Sequence, residues 1–310
     1  MKQKLPDGFS QRAPALQDAV AINDLICACD AADYGAPDFT VEDVLADWRR
    51  DDFVIARDAW MIHASDGTLA AYGNVYGGSE VARVDPTTCV LPEYRERGLE
   101  NFLLDAAEAW TRANAPHKPL QWIVSETHAG WVTRLIARAY VVTRHDYVME
   151  IEMTAPPPAP ILPDGFVMRS FARGRDERAV WACLQESFRD HRGHVDMPYE
   201  AWATGFFDHA EWSPELSTVV TRGDETVAAA MAFHGMNGGW IRSLAVRRPW
   251  RKNGLGLAML YFIFGKYYAY EPKRFGLGVD AESLTGATRL YERAGMRVKN
   301  HFLRYEKSFA

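Results

Sequence analysis

Arg251-Lys252-Asn253-Gly254-Leu255-Gly256 lies between two apolar runs of different kinds. Trp240-Ile241-Arg242-Ser243-Leu244-Ala245-Val246 reads as a strand, and Leu257-Ala258-Met259-Leu260-Tyr261-Phe262-Ile263-Phe264 reads as a helix. A glycine-rich turn that opens a helix leaves backbone N–H groups free at the positive end of the helix dipole, a natural seat for phosphate. Glycine also lets the backbone approach a bulky anion without side-chain clash. Arg242, Arg247, Arg248, Arg251 and Lys252 crowd this segment, and no Asp or Glu occurs from 242 to 256. On a chain of formal net charge −6, such a cluster suggests an anionic ligand; the other reading is a solvated helix start. Two further phosphate motifs fit poorly. Gly-x-Gly-x-x-Gly would need a third glycine where Met259 stands, and no P-loop Gly-Lys-Ser/Thr is present.

The plan occurs twice. Leu5-Pro6-Asp7-Gly8-Phe9 recurs as Leu162-Pro163-Asp164-Gly165-Phe166. Arg95-Glu96-Arg97-Gly98-Leu99-Glu100 answers to 251–256, and Thr133-Arg134-Leu135-Ile136-Ala137-Arg138-Ala139 to Thr288-Arg289-Leu290-Tyr291-Glu292-Arg293-Ala294. A repeat of this length marks two copies of a domain rather than a solenoid of short units. The expected division is 1–154, a proline-rich linker at 155–161, and 162–310. With 48% hydrophobic and 25% charged residues, the composition suits two ordinary globular cores.

Other classes are disfavoured. The first residues lack the apolar stretch of a secretory signal, and the longest apolar run, around 257–270, is too short for a bilayer span and holds Lys266. No membrane association and a cytoplasmic location are therefore expected. The acidic balance argues against a nucleic-acid partner. Cys27, Cys29, Cys89 and Cys183 show no metal-ligand spacing, so no metal is expected.

Periodicity in the second half predicts strands at 167–171, 216–221, 226–233, 240–246, 274–280 and 297–306. Helices are predicted at 176–188, 199–207, 257 onward, and 285–294. The fold class is α/β.

The glycine loop after a strand, followed by Leu290-Tyr291-Glu292-Arg293-Ala294-Gly295-Met296, resembles the GCN5-related N-acetyltransferase (GNAT) family. Its duplicated build is similar to the tandem-domain branch that includes the mycothiol synthases. The resemblance implies two GNAT-like domains, each a mixed, splayed β-sheet flanked by helices. It implies acetyl-coenzyme A as co-substrate and a small-molecule amine as acceptor, such as an amino sugar or a cysteinyl conjugate. It leaves monomer and homodimer both open. Leu244, Ala245, Val246, Arg251, Lys252, Asn253, Gly254, Leu255, Gly256 and Ser283 would bind the coenzyme. Tyr291 would donate to the departing sulfur; as one of an apolar set with Ala287, Leu290 and Ala294, it could equally be core.

An alkyl amine with a pKa near ~10.4 must shed a proton before attack. Strand 240–246 carries no carboxylate for that task, so Glu282 is the first candidate base. His191 and His194 suit the pH range and, with Arg242, would face the acceptor. In the first half Glu100 replaces the second motif glycine and Ile136 replaces the tyrosine. That half reads as degenerate, with the active site in the C-terminal domain. A coenzyme-binding sensor without turnover and a protein N-acetyltransferase are the alternative readings.

Overall fold

The computed structural model describes residues 4–37, 39–50, 52–79, 81–190, 195–235, 237–283 and 286–309. The first repeat runs β1 (Phe9–Arg12), α1 (Ala19–Tyr34), α2 (Val41–Trp48), α3 (Ile55–Asp58), β2 (Ala59–Ala64), β3 (Leu69–Tyr76), β4 (Asp85–Val90), α4 (Leu99–Asn114), β5 (Leu120–Ser125), α5 (Ala129–Ala137) and β6 (Val141–Glu152). The second runs β7 (Phe166–Ser170), α6 (Glu177–Phe188), α7 (Tyr199–Phe207), β8 (Thr218–Arg222), β9 (Glu225–Gly235), β10 (Gly238–Val246), α8 (Leu255–Tyr267), β11 (Arg274–Asp280), α9 (Ala287–Arg293) and β12 (Arg297–Lys307). The α/β class and the element order of the second repeat agree with the sequence reading. The strand expected from 216 begins at Thr218, after Leu216 and Ser217 have packed as buried turn residues.

The chain forms two compact units, Met1–Arg144 with Phe302–Ala310, and His145–His301. These differ from the repeat halves at the last strands. β12 pairs antiparallel with β5, from Phe302↔Ser125 to Lys307↔Leu120, and completes the first unit. β6 pairs antiparallel with β11, from Asp146↔Asp280 to Glu152↔Arg274, and completes the second. A strand-like run advertises its faces but not its neighbour, so this exchange has no signature in the sequence.

In the second unit the strands lie in the order β6-β11-β10-β9-β8-β7. Val227–Ala232 of β9 are buried on both faces, which accounts for their unbroken apolar run. One face is covered by α8, whose Leu255, Met259, Leu260, Ile263, Phe264 and Tyr267 pack with Ile241, Phe275 and Leu277. Burial of each such side chain contributes roughly 1.5–3 kcal/mol before chain entropy is set against it. On the other face, Val180 and Leu184 of α6 and Trp202 and Phe206 of α7 pack with Val219, Ala229, Met231, Phe233 and Ala245.

β10 and β11 run parallel and pair only at Gly239↔Phe275, Trp240↔Gly276 and Ile241↔Leu277. A bulge between Ile241 and Ser243 bends β10, which continues along β9 to Val246↔Ala228. β11 meanwhile stays on β6. A wedge opens between 243–246 and 278–280, with alternate backbone groups of each strand turned into it.

Candidate active site

The loop after β10 reaches α8 through two left-handed residues, Lys252 at φ 64° and Gly254 at φ 78°. The N–H groups of Leu255, Gly256 and Leu257 have no partner within α8 because they form its first turn. They open onto a cleft of about 660 Å³ at the mouth of the wedge. Leu244, Ala245, Val246, Arg251, Lys252, Gly254, Leu255, Gly256 and Tyr291 all line it. Gly256 is buried, and a Cβ there would meet Leu290 Cδ2 of α9 at 2.9 Å. Its bareness thus lets α9 close over the loop. Asn253 does not line the cleft; its Nδ2 donates to the carbonyls of Trp250 at 3.1 Å and Arg251 at 3.3 Å and ties the turn together.

Most of the positive cluster is neutralised by carboxylates distant in sequence. Arg247 pairs with Glu186 at 3.2 Å and Glu225 at 3.1 Å. Arg251 Nη1 donates to Asp190 at 2.6 Å, while its Nε donates to the carbonyl of Val246 at 3.0 Å. Arg248 donates to both oxygens of Asp190. The two guanidiniums hold the Asp190 carboxyl well below the usual range. Among the described residues, Lys252, Arg289 and Arg293 meet no carboxylate, and all three line the cleft. The sequence reading missed Arg289 and Arg293. Their four-residue spacing on α9, flanking Tyr291, was the available signal.

The first unit supplies an internal control. Its loop has the same shape, with Glu96 at φ 61° and Gly98 at φ 91°. Arg95 repeats the tether, Nε to Val90 carbonyl at 3.1 Å and Nη1 to Asp33 at 2.7 Å. Arg95 and Arg251 therefore brace the loop in both copies. The corresponding cleft, about 540 Å³, differs in charge. Arg134 and Arg138, which match Arg289 and Arg293, are bound by Glu96 and Asp105, each at 2.5 Å. Glu100, only 2% exposed, accepts the Glu96 N–H at 3.0 Å. Its carboxylate thus folds back onto the backbone of its own loop.

Tyr291 is 7% exposed and belongs to the apolar core, yet it also lines the cleft. Its hydroxyl has no hydrogen-bond partner among the described residues. Burial raises its pKa to about 12, so the phenol stays protonated at neutral pH. Glu282 is exposed on the turn after β11, with its N–H donating to Asp280 at 2.9 Å, and it does not line the cleft. Ser283 is half-buried beside it, also outside the lining. Arg242 stands at the bulge on the α7 side, with Nη1 donating to the Gly205 carbonyl at 3.2 Å. His191 and His194 lie outside the described residues. No group of three or more His, Cys, Asp or Glu suited to a metal occurs among the described residues.

Residues 179–296 match the family model described as Acetyltransferase (GNAT) family. Mycothiol acetyltransferase of Salinispora arenicola is 27% identical over 263 residues, 80% of each chain. The crystal structure of a GCN5-related N-acetyltransferase from Sphaerobacter thermophilus is similar at a TM-score of 0.82 and 34% identity. That match covers 99% of this chain and 97% of that one. A tandem GNAT protein from the clavulanic acid biosynthesis pathway shares the fold at a TM-score of 0.72 and 13% identity, over 97% of this chain and 99% of its own.

Proposed function

This chain belongs to the GCN5-related N-acetyltransferase family and is an acetyl-coenzyme A-dependent N-acetyltransferase; on that premise we propose that transfer occurs at the cleft of the second unit, to the amine of a small molecule. The observation that carries this reading is the contrast between the two loops. They share one backbone shape, but only the second has an open anion seat flanked by free cations.

The residues present suit the coenzyme. The first-turn N–H groups of α8, with Lys252, Arg289 and Arg293, match a pyrophosphate and a further phosphate. The wedge beside Leu244–Val246 offers unpaired backbone groups to an extended amide-bearing arm, as a sheet edge does to an added strand. The coenzyme brings the acetyl thioester. A backbone N–H of Leu244–Val246 can face the carbonyl oxygen as negative charge develops there. Tyr291 O–H is the donor toward the departing sulfur. Complete transfer from a phenol of pKa about 12 to a thiolate near ~8.5 costs about 5 kcal/mol, so Tyr291 acts as a hydrogen-bond donor and the sulfur takes its proton from solvent.

The acceptor amine must lose one proton. Asp190, the carboxylate that lines the cleft, is engaged by two arginines. Glu282 remains our proposed base, reached through water from the turn after β11. The relative named a mycothiol acetyltransferase favours a small molecule over a protein as acceptor. A panel of small amines and lysine peptides, incubated with acetyl-coenzyme A and followed by free-thiol release, tests the proposal. Thiol release with a small amine supports it. Release confined to peptides would refute it.

A further inference from the structure

Arg242 differs from every other cation of the 242–256 segment. Arg247, Arg248 and Arg251 are each held by carboxylates, and Lys252 lines the cleft. The Arg242 guanidinium instead lies over two aromatic rings, 5.1 Å from the centre of Phe206 and 5.8 Å from that of Phe233. One N–H goes to the Gly205 carbonyl at 3.2 Å, and no carboxylate pairs with it among the described residues. A guanidinium carries five N–H donors in a planar fork. Partial burial strips some of its water and lowers its pKa, while the residue as a whole remains exposed. A cation so placed, half desolvated and without a counter-charge, is poised for an anion that arrives from outside.

Its position gives that anion a context. Arg242 is the bulge residue at which β10 parts from β11, so it stands where the wedge begins. Leu244, which lines the cleft, is two residues on, about 7 Å along a strand. The equivalent residue of the first repeat is Pro86, which has no side-chain donor at all. Arginine at the bulge thus accompanies Gly256 and Tyr291 in the second repeat, and all three are replaced in the first.

We propose that Arg242 receives a carboxylate of the acceptor, so that the amine acetylated by this protein is an amino acid-like molecule whose acidic group lies a short carbon chain from the nitrogen. The proposal rests on the second-unit cleft as the transfer site. The carboxylate lies flat against the guanidinium fork, which fixes the acceptor's far end. The amine then reaches past the bulge toward Leu244–Val246. The aromatic platform holds the guanidinium in plane, so the pairing is set before the acceptor arrives.

The test is calorimetric titration of the intact protein, saturated with coenzyme A, with γ-aminobutyrate against butylamine and ε-aminocaproate against hexylamine. The expected result is that at least one aminocarboxylate binds about tenfold or more tighter than the amine of matching length, the scale of one charged hydrogen bond. Arg242→Met should erase that preference, and Arg242→Lys should keep part of it, with coenzyme A affinity and melting temperature unchanged in both. Equal binding within each pair, no binding by either aminocarboxylate, or a preference that survives Arg242→Met would overturn the proposal. A carboxylate preference without acetyl-coenzyme A consumption would leave Arg242 as an acid receptor and instead refute the second-unit cleft as a transfer site.

Discussion

Replacing Gly256 by glutamate transplants onto α8 the residue that α4 carries as Glu100. In the first unit that carboxylate accepts the Glu96 N–H at 3.0 Å and is 2% exposed. The two loops share their backbone shape, so the new carboxylate should accept the Lys252 N–H in the same way. It would remove a donor and set a negative charge within roughly 4 Å of a bound phosphate. Two like charges at that distance cost about 1 kcal/mol in water and about 4 kcal/mol at an effective dielectric of 20. With two phosphates nearby, the affinity for acetyl-coenzyme A should fall by at least about tenfold. The added Cβ would also press on Leu290 Cδ2, at 2.9 Å, so size must be separated from charge. Gly256→Gln is that control: it adds nearly the same volume without the charge. In calorimetric titrations at low salt, Gly256→Glu should bind far more weakly than Gly256→Gln. Equal affinities for the two variants would refute the electrostatic reasoning, and undiminished binding by both would remove the loop from the coenzyme site.

Three further outcomes are expected. Glu100→Gly should free the seat in the first unit and raise the coenzyme A stoichiometry from one weakly toward two; a stoichiometry fixed at one would show that Glu100 alone does not close that cleft. Tyr291→Phe should leave the melting temperature and coenzyme affinity unchanged and lower kcat by roughly 10²-fold, the scale of a lost hydrogen-bond donor to developing charge; equal kcat would return Tyr291 to a packing role. Burial raises the folded-state pKa of Tyr291 to about 12, above an unfolded value near ~10. Its hydroxyl therefore stays protonated below pH ~10, and its contribution to stability is present there and lost as pH rises toward 12. The pH profile of kcat should show no descending limb below pH 10 that Tyr291→Phe removes; such a limb near pH 8 would contradict the buried phenol.

Much of the fold was legible because its local signals agree. The helix at 199–207 and the strand at 274–280 were read with their observed bounds, since apolar spacing and turn residues mark both ends. The wedge was expected only through the family resemblance and had no signature in the residue pattern. It depends on where pairing between β10 and β11 stops, and Ile241-Arg242-Ser243 gives no sign of a bulge. The exchange of β6 and β12 was hidden for the same reason.

The candidate site was legible in part. Gly254, Gly256 and Tyr291 were found by motif, and each lines the cleft. The charge reading needed correction. Arg251 was expected to bind the coenzyme; it lines the cleft, but Asp190, some 60 residues earlier, engages both it and Arg248. Arg289 and Arg293 were not singled out, yet they line the cleft and meet no carboxylate among the described residues. Glu100 was read as replacing the second motif glycine. Its hydrogen bond from Glu96 N–H turns the carboxylate back onto its own loop. Such contacts join residues far apart in the chain, and spacing cannot report them.

The most direct measurement is a crystal structure of the intact protein grown with coenzyme A. The expected result is a pyrophosphate on the N–H groups of Leu255–Leu257, with the thiol end between Leu244–Val246 and Tyr291 and no coenzyme at 95–100. A pyrophosphate bound at 95–100, with the loop at 251–256 bare, would contradict it.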